Sequence, residues 1–199
     1  MIKERGNINS IVRGEIVAGY RDMSTSKFTP VIEQKNLVTY GGADIMAKLI
    51  SGDVKYAING MYFKYQNTTD TPEGTTPTRE LTASDQYWTL TGTDNIDWLR
   101  VPIITTGKIA KSPYNSVAYN GNSVTFVATT ASVGTTGETP EQNPFSGGDN
   151  SKIFSVALVA MPDILTPSTD IAFSMANLTS AIPAIENSYI DVFWTITFN

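Results

Sequence analysis

The acid–base chemistry open to this chain rests on its carboxylates. Two close pairs stand out: Asp94 and Asp97 in Thr93-Asp94-Asn95-Ile96-Asp97, and Glu138 and Glu141 in a polar stretch rich in Gly, Thr and Pro. A glycosidase needs two carboxyls facing each other across a sugar. Spacing along the chain does not supply that geometry, and solvated charges are the expectation for both pairs. His and Cys are absent. That excludes Ser-His-Asp and Cys-His nucleophile pairs, a thiolate nucleophile and His/Cys zinc or copper sites. There is no disulfide framework, and cysteine usage is silent on redox compartment.

Other motifs are weaker. Asp94-Asn95-x-Asp97 and Ser146-Gly147-Gly148-Asp149-Asn150 offer oxygen ligands for calcium, but neither fits the twelve-residue EF-hand loop. Turn formation by Asp, Asn and Gly accounts for both. Gly41-Gly42 precedes a helical pattern without GxGxxG or GxxxxGK[ST], and a tight turn into the helix is expected. No G-x-S-x-G occurs. Asn67-Thr68-Thr69 and Asn177-Leu178-Thr179 are formal glycosylation sequons in a chain rich in Asn and Thr. No metal, cofactor or catalytic residue is expected.

Aromatic side chains offer a different chemistry. Tyr62, Trp88, Tyr114 and Tyr119 are candidates for a sugar-stacking platform, set against the commoner role of such rings in cores and interfaces. Phe193 stands on the otherwise polar face of the last strand pattern, next to Tyr189 on the same face, and something is expected to cover it. With Ile2, Ile8 and Ile11 of the N-terminal segment, these two residues are the candidate interface.

The elements that must position these residues are mostly strands. The chain has 199 residues, enough to bury roughly 70% of its unfolded surface without staples. Lys and Arg number 14 and Asp and Glu 19, a net charge of −5, and only 17% of residues are charged. Nucleic acid binding needs a clustered basic face, which this balance argues against. No apolar run reaches the roughly 18 residues that span a membrane, and the charged start Met1 to Gly6 does not read as a secretory signal. Abundant Thr, Val, Ile and Tyr favour pleated, half-buried positions.

Period-2 patterns predict strands over 15–21, 31–39, 61–66, 86–91, 96–110 and 123–130. Pro102 suggests an edge or a bulge. The apolar run Ile153 to Met161 predicts a central strand covered on both faces. Asp170 to Ser174 pairs nearby, and Met175 to Ile185 is ambiguous. The cleanest alternation is the last, with Ile190, Val192, Trp194, Ile196 and Phe198 on one face. One short helix is expected near 42–51, with Ile45, Met46, Leu49 and Ile50 on one side, Asp44 in the first turn, Lys48 in the last and Gly52 at C′. Residues 67–77 and 134–150 read as polar loops. The pattern describes a mainly β protein, a jelly-roll-like β-sandwich, with residues 1–13 as an N-terminal arm and 14–199 as one domain.

Three stretches together resemble structural proteins of tailed-bacteriophage particles: Asn36-Leu37-Val38-Thr39 leading through Gly41 into Ile45–Gly52, then Ile58-Asn59-Gly60-Met61-Tyr62-Phe63, and the closing Val192–Phe198. Leu99-Arg100-Val101-Pro102 and Ser155–Ala160 extend the likeness over roughly residues 30–199. Lys64-Tyr65-Gln66-Asn67 stands where many such proteins have a Gly-rich turn. The resemblance implies a non-enzymatic virion component, assembled in the host bacterial cytoplasm: a capsid decoration, cement or head-fibre protein. The alternatives are a tail or baseplate fibre component, or a receptor-binding (carbohydrate) module. Expected partners are further copies of the chain, a trimer above all, and other virion proteins such as major capsid or tail proteins, with no nucleic acid and no membrane. A glycan-degrading enzyme using Asp94, Asp97 or Glu141 is the remaining class to be tested.

Overall fold

The computed structural model describes residues 12–38, 40–66, 96–103, 115–130, 152–163, 169–185 and 187–198. The strands are β1 (Val12–Asp22), β2 (Phe28–Val38), β3 (Ile58–Gln66), β4 (Ile96–Pro102), β5 (Ser116–Asn120), β6 (Ser123–Thr129), β7 (Lys152–Ala160), β8 (Ile171–Pro183) and β9 (Ser188–Phe198). One helix, α1 (Tyr40–Ile50), follows β2, and a short 3-10 turn, Val54–Tyr56, leads into β3. The protein is mainly β, as expected. Every pairing among these strands is antiparallel.

The hydrogen-bonded order is β4-β3-β7-β8-β2-β1-β9-β6-β5. It divides into two sheets because β2 switches partners along its length. Gly14 to Arg21 of β1 pair with Asn36 back to Phe28 of β2. Beyond that point Leu37 and Val38 pair with Met175 and Ser174 of β8. A strand passing from one sheet to the next makes a corner between layers. Inward residues of both sheets share one core: Ile16, Phe126 and Trp194 from the first, Phe63, Leu158 and Phe173 from the second. Four pairings join strands consecutive in sequence, β1–β2, β3–β4, β5–β6 and β7–β8, and the jelly-roll pattern is not confirmed by this order.

The central-strand reading of 152–161 holds: β7 lies between β3 and β8, and Ile153 to Ala160 are all buried. Residues 171–183, which sequence left divided, form one strand with Pro183 at its end. β1 begins at Val12, paired with Phe198, so Val12 and Arg13 of the expected arm are in the sheet. β2 begins at Phe28 rather than Val31. Pro30 is tolerated because the register shifts there, from Ala18 opposite Ile32 to Gly19 opposite Pro30, and a bulge does not need its missing N–H. β4 ends at Pro102 and lies at one end of the order, as that proline suggested. The strand expected at 86–91 lies outside the described residues, as do the two polar loops. β5 was not anticipated.

Helix α1 begins two residues earlier than expected, which places Gly41-Gly42 inside its first turn and moves Asp44 beyond it. Asp44 instead pairs with Lys48 one turn on, at 2.6 Å. The C-terminus is as read: the Gly52 N–H donates to the Leu49 carbonyl and the Asp53 N–H to the Lys48 carbonyl, with Gly52 at φ 92°. That is a Schellman closure, which needs a residue at ease with positive φ. Only part of the expected apolar stripe packs. Ile45 is fully buried, Met46 and Leu49 are half-buried against the core, and Ile50 is 83% exposed.

Candidate interaction surface

The outer face of the first sheet carries Phe193 and Tyr189, two of the five residues that sequence marked as interface. β9 lies between β1 and β6, with Val17 opposite Phe193 on one side and Val127 on the other. Phe193 is half-buried, and the expected cover comes from this chain. The ring of Phe28, from the start of β2, meets it edge-on with centroids 4.8 Å apart. β1 runs between the strands that carry the two rings, with Val17, Gly19 and Arg21 on this face and Gly19 opposite Asp191 and Pro30. A side chain at Gly19 would run into the backbone of Thr29 and Pro30, so glycine is what lets β1 and β2 approach at the bulge. Tyr189 is half-buried at the end of the same face, opposite Arg21. Ile2, Ile8 and Ile11 lie outside the described residues.

Beside the rings, on the polar face of the last strand, is a carboxylate. Asp191 is 0% exposed. Its Oδ2 accepts from Nε of Arg21 at 2.5 Å, and the Arg21 Nη1 also donates to the Ser26 carbonyl. Burial pushes the Asp191 pKa up, while hydrogen bonds from Thr129 and Arg21 and the Arg21 charge act against it. A buried ion pair with one cationic partner is a structural arrangement as it stands. Among the described residues no group of three or more carboxylates is placed to hold a metal ion.

The sugar-binding candidates separate. Tyr62 is 1% exposed, and its hydroxyl donates to Oδ2 of the buried Asp170 at 2.5 Å. It belongs to a small second cluster with Ala157, Val159, Met161, Ala172 and Met175, so it offers no ring face to a ligand. Both faces of β3 are buried at this point, with Met61 and Phe63 on one and Tyr62 on the other. Trp88 and Tyr114 lie outside the described residues. Tyr119 is 77% exposed, on β5. Of the carboxylates, Asp97 lies within β4, paired with Tyr65, rather than in a loop; Asp94, Glu138 and Glu141 lie outside the described residues, as does Ser146 to Asn150. The sequon at Asn177 lies on β8, where the Asn177 Oδ1 accepts from the Ser155 hydroxyl at 2.7 Å.

β5 is the feature that sequence missed. All five of its residues are exposed, and it ends the strand order opposite β4. Its partner β6 follows through the two-residue loop Gly121-Asn122, with Asn120 opposite Ser123 and Gly121 at φ 61°. Positive φ at the first loop residue alone is the type II′ arrangement that suits a hairpin. Val117 and Tyr119 pair with Phe126 and Val124, on the core side of the sheet, yet Val117 is 38% and Tyr119 77% exposed. The only available signal was the Gly-Asn pair between two short runs, which is a hairpin cue.

Against known proteins, no family model matches this chain, no curated protein matches it, and no solved structure matches it. No described helix is long and apolar enough to cross a membrane.

Proposed function

We propose that this chain is a non-enzymatic structural component of a tailed-phage particle that assembles through the edges of its two-sheet fold, as a capsid-surface decoration, cement or head-fibre protein. The observation that carries the reading is β5. Soluble proteins ordinarily blunt an edge strand with charge, proline or a covering element. Ser116-Val117-Ala118-Tyr119-Asn120 has no charge and no proline, and it leaves Val117 and Tyr119 exposed. Such an edge suits strand pairing with a neighbouring subunit. Five residues are too few for a stable interface of about 1,200 Å² or more. The homo-oligomer, a trimer in this reading, therefore needs a second contact, which we assign to residues 1–11.

Light scattering with mass determination on purified protein, with and without residues 1–11 and with Tyr119→Lys, tests assembly. A trimer or larger ring that is lost on truncation and weakened by Tyr119→Lys supports the reading; a monomer in every form overturns it. Detection of the chain in purified virions, bound to heads rather than tails after their separation, tests the location. Recovery on tails moves it to the tail-fibre alternative, and absence from both removes it from the particle.

The exposure of Tyr119 favours a second reading, a receptor-binding carbohydrate module. It predicts a sugar-dependent shift in tryptophan fluorescence that Tyr119→Ala abolishes.

A further inference from the structure

The chain contains two Asn-Gly dipeptides, Asn59-Gly60 and Asn120-Gly121. The structure treats them in opposite ways. We infer that Asn120 is a site of spontaneous deamidation and that the fold protects Asn59 from the same reaction. The chemistry needs no enzyme. The backbone nitrogen of the following residue, having lost its proton, attacks the asparagine Cγ. A C–N bond forms, the Cγ–Nδ2 bond breaks, and ammonia leaves with the proton. Water then opens the five-membered succinimide at either carbonyl, giving aspartate or iso-aspartate. Closure requires a carboxamide free to turn toward the next nitrogen and space for the ring.

Both conditions hold at Asn120. The residue is exposed at the tip of the β5–β6 hairpin. Its backbone carbonyl accepts from the Ser123 hydroxyl at 2.9 Å, but no hydrogen bond engages its carboxamide among the described residues. At Gly121 an added Cβ would meet nothing within 4 Å, so the space around the attacking nitrogen is open. Neither condition holds at Asn59. Its Nδ2 donates to the Met161 carbonyl at 3.1 Å, and its Oδ1 accepts the Met161 N–H at 2.7 Å. Both ends of the carboxamide are thus tied to one residue of the neighbouring segment, at the point where the β3–β7 register shifts between Ile58 and Gly60. Gly60 is buried, and an added Cβ would run into the Met161 side chain. Closing the ring at Asn59 means breaking both hydrogen bonds and displacing Met161.

The consequence falls on β5. Aspartate adds a negative charge at the hairpin tip. Iso-aspartate adds a backbone atom at the pair Asn120–Ser123, which disturbs the register that a two-residue loop sets.

Peptide mapping by mass spectrometry after timed incubation of the full chain, at mildly alkaline pH and warm, tests the inference. The Asn120 peptide should become heavier by the difference between OH and NH2, at least about tenfold faster than the Asn59 peptide, the ratio that a barrier difference of ~1.4 kcal/mol produces. Asn120→Gln should remove that signal and leave the Asn59 peptide unchanged. In strong denaturant the two rates should converge, because both dipeptides then have the same neighbour and no fold. Equal rates in the folded protein, or a ratio that survives denaturation, overturns the inference.

Discussion

Phe28 and Phe193 meet edge-on, with centroids 4.8 Å apart and ring planes at 62°, across a strand that carries glycine at the crossing. The two residues are 165 positions apart (193 − 28), and they close the outer face of the first sheet within one chain. Phe28→Ala should cost about 1–3 kcal/mol, because a half-buried ring loses its partner and Phe193 is uncovered. Edge-to-face pairs add about 0.5–1.5 kcal/mol beyond area burial. Urea unfolding of both single alanine variants and the double variant should return a coupling of that size. A coupling near zero would mean that the rings stand independently and that Phe193 is free to serve an intermolecular contact.

The Arg21–Asp191 pair should make stability depend on pH in an unusual direction. Burial raises the Asp191 pKa despite the hydrogen bonds from Thr129 and Arg21. The folded chain therefore keeps a proton on this carboxyl at pH values where the unfolded chain has released it. Stability falls as pH rises through the window from the ordinary carboxylate value up to the raised one. Asp191→Asn should flatten that window. Arg21→Ala removes the cation bonded to a fully buried carboxylate and should cost about 3–5 kcal/mol above the window and less below it. Denaturant midpoints collected across pH for the three proteins check this; an Arg21→Ala penalty that does not depend on pH would show that Asp191 does not titrate in that range.

A single carboxamide closes the seam on the far side of the fold. The Asn115 Nδ2 donates to the Pro102 carbonyl at 3.1 Å, and its Oδ1 accepts the Thr129 N–H at 3.0 Å. Asn115 is buried and so joins β4 of one sheet to β6 of the other. Asn115→Ala should cost about 1–3 kcal/mol, since it leaves a buried N–H and a carbonyl unpaired. Asn115→Asp keeps the acceptor, loses the donor and buries a charge, and should not rescue the loss at neutral pH. Hydrogen exchange at the Thr129 amide should quicken in both variants. Unchanged protection there would show that the sheets hold together without this tie.

The same device recurs between β2 and β8. Gln34 of β2 donates from Nε2 to the Asn177 carbonyl at 2.7 Å and accepts the Thr179 N–H at 2.9 Å. It does so where β8 inserts extra residues between the pairs Ser155–Asn177 and Ile153–Ile182. No pattern of apolar and polar residues announces these ties, because Asn and Gln in a sequence read as surface or turn residues until a partner strand is known.

What the sequence determined by itself was local. The alternation of Ile190, Val192, Trp194 and Ile196 set which face of β9 is buried, and the continuous run through 153–160 marked a strand covered on both sides. Gly52 marked the helix stop. Periodicity carries this much because each apolar side chain must leave water on one side or the other. The tertiary structure decided the rest. Tyr62 became a core residue because its sheet is buried on both faces. Asp191 left solvent because Arg21 comes to it from the paired strand. Among the described residues, the five of β5 formed a strand by pairing with β6, while every one of them stayed exposed. In each case the deciding partner lies on another strand, and a period read along one segment cannot show which strand that is.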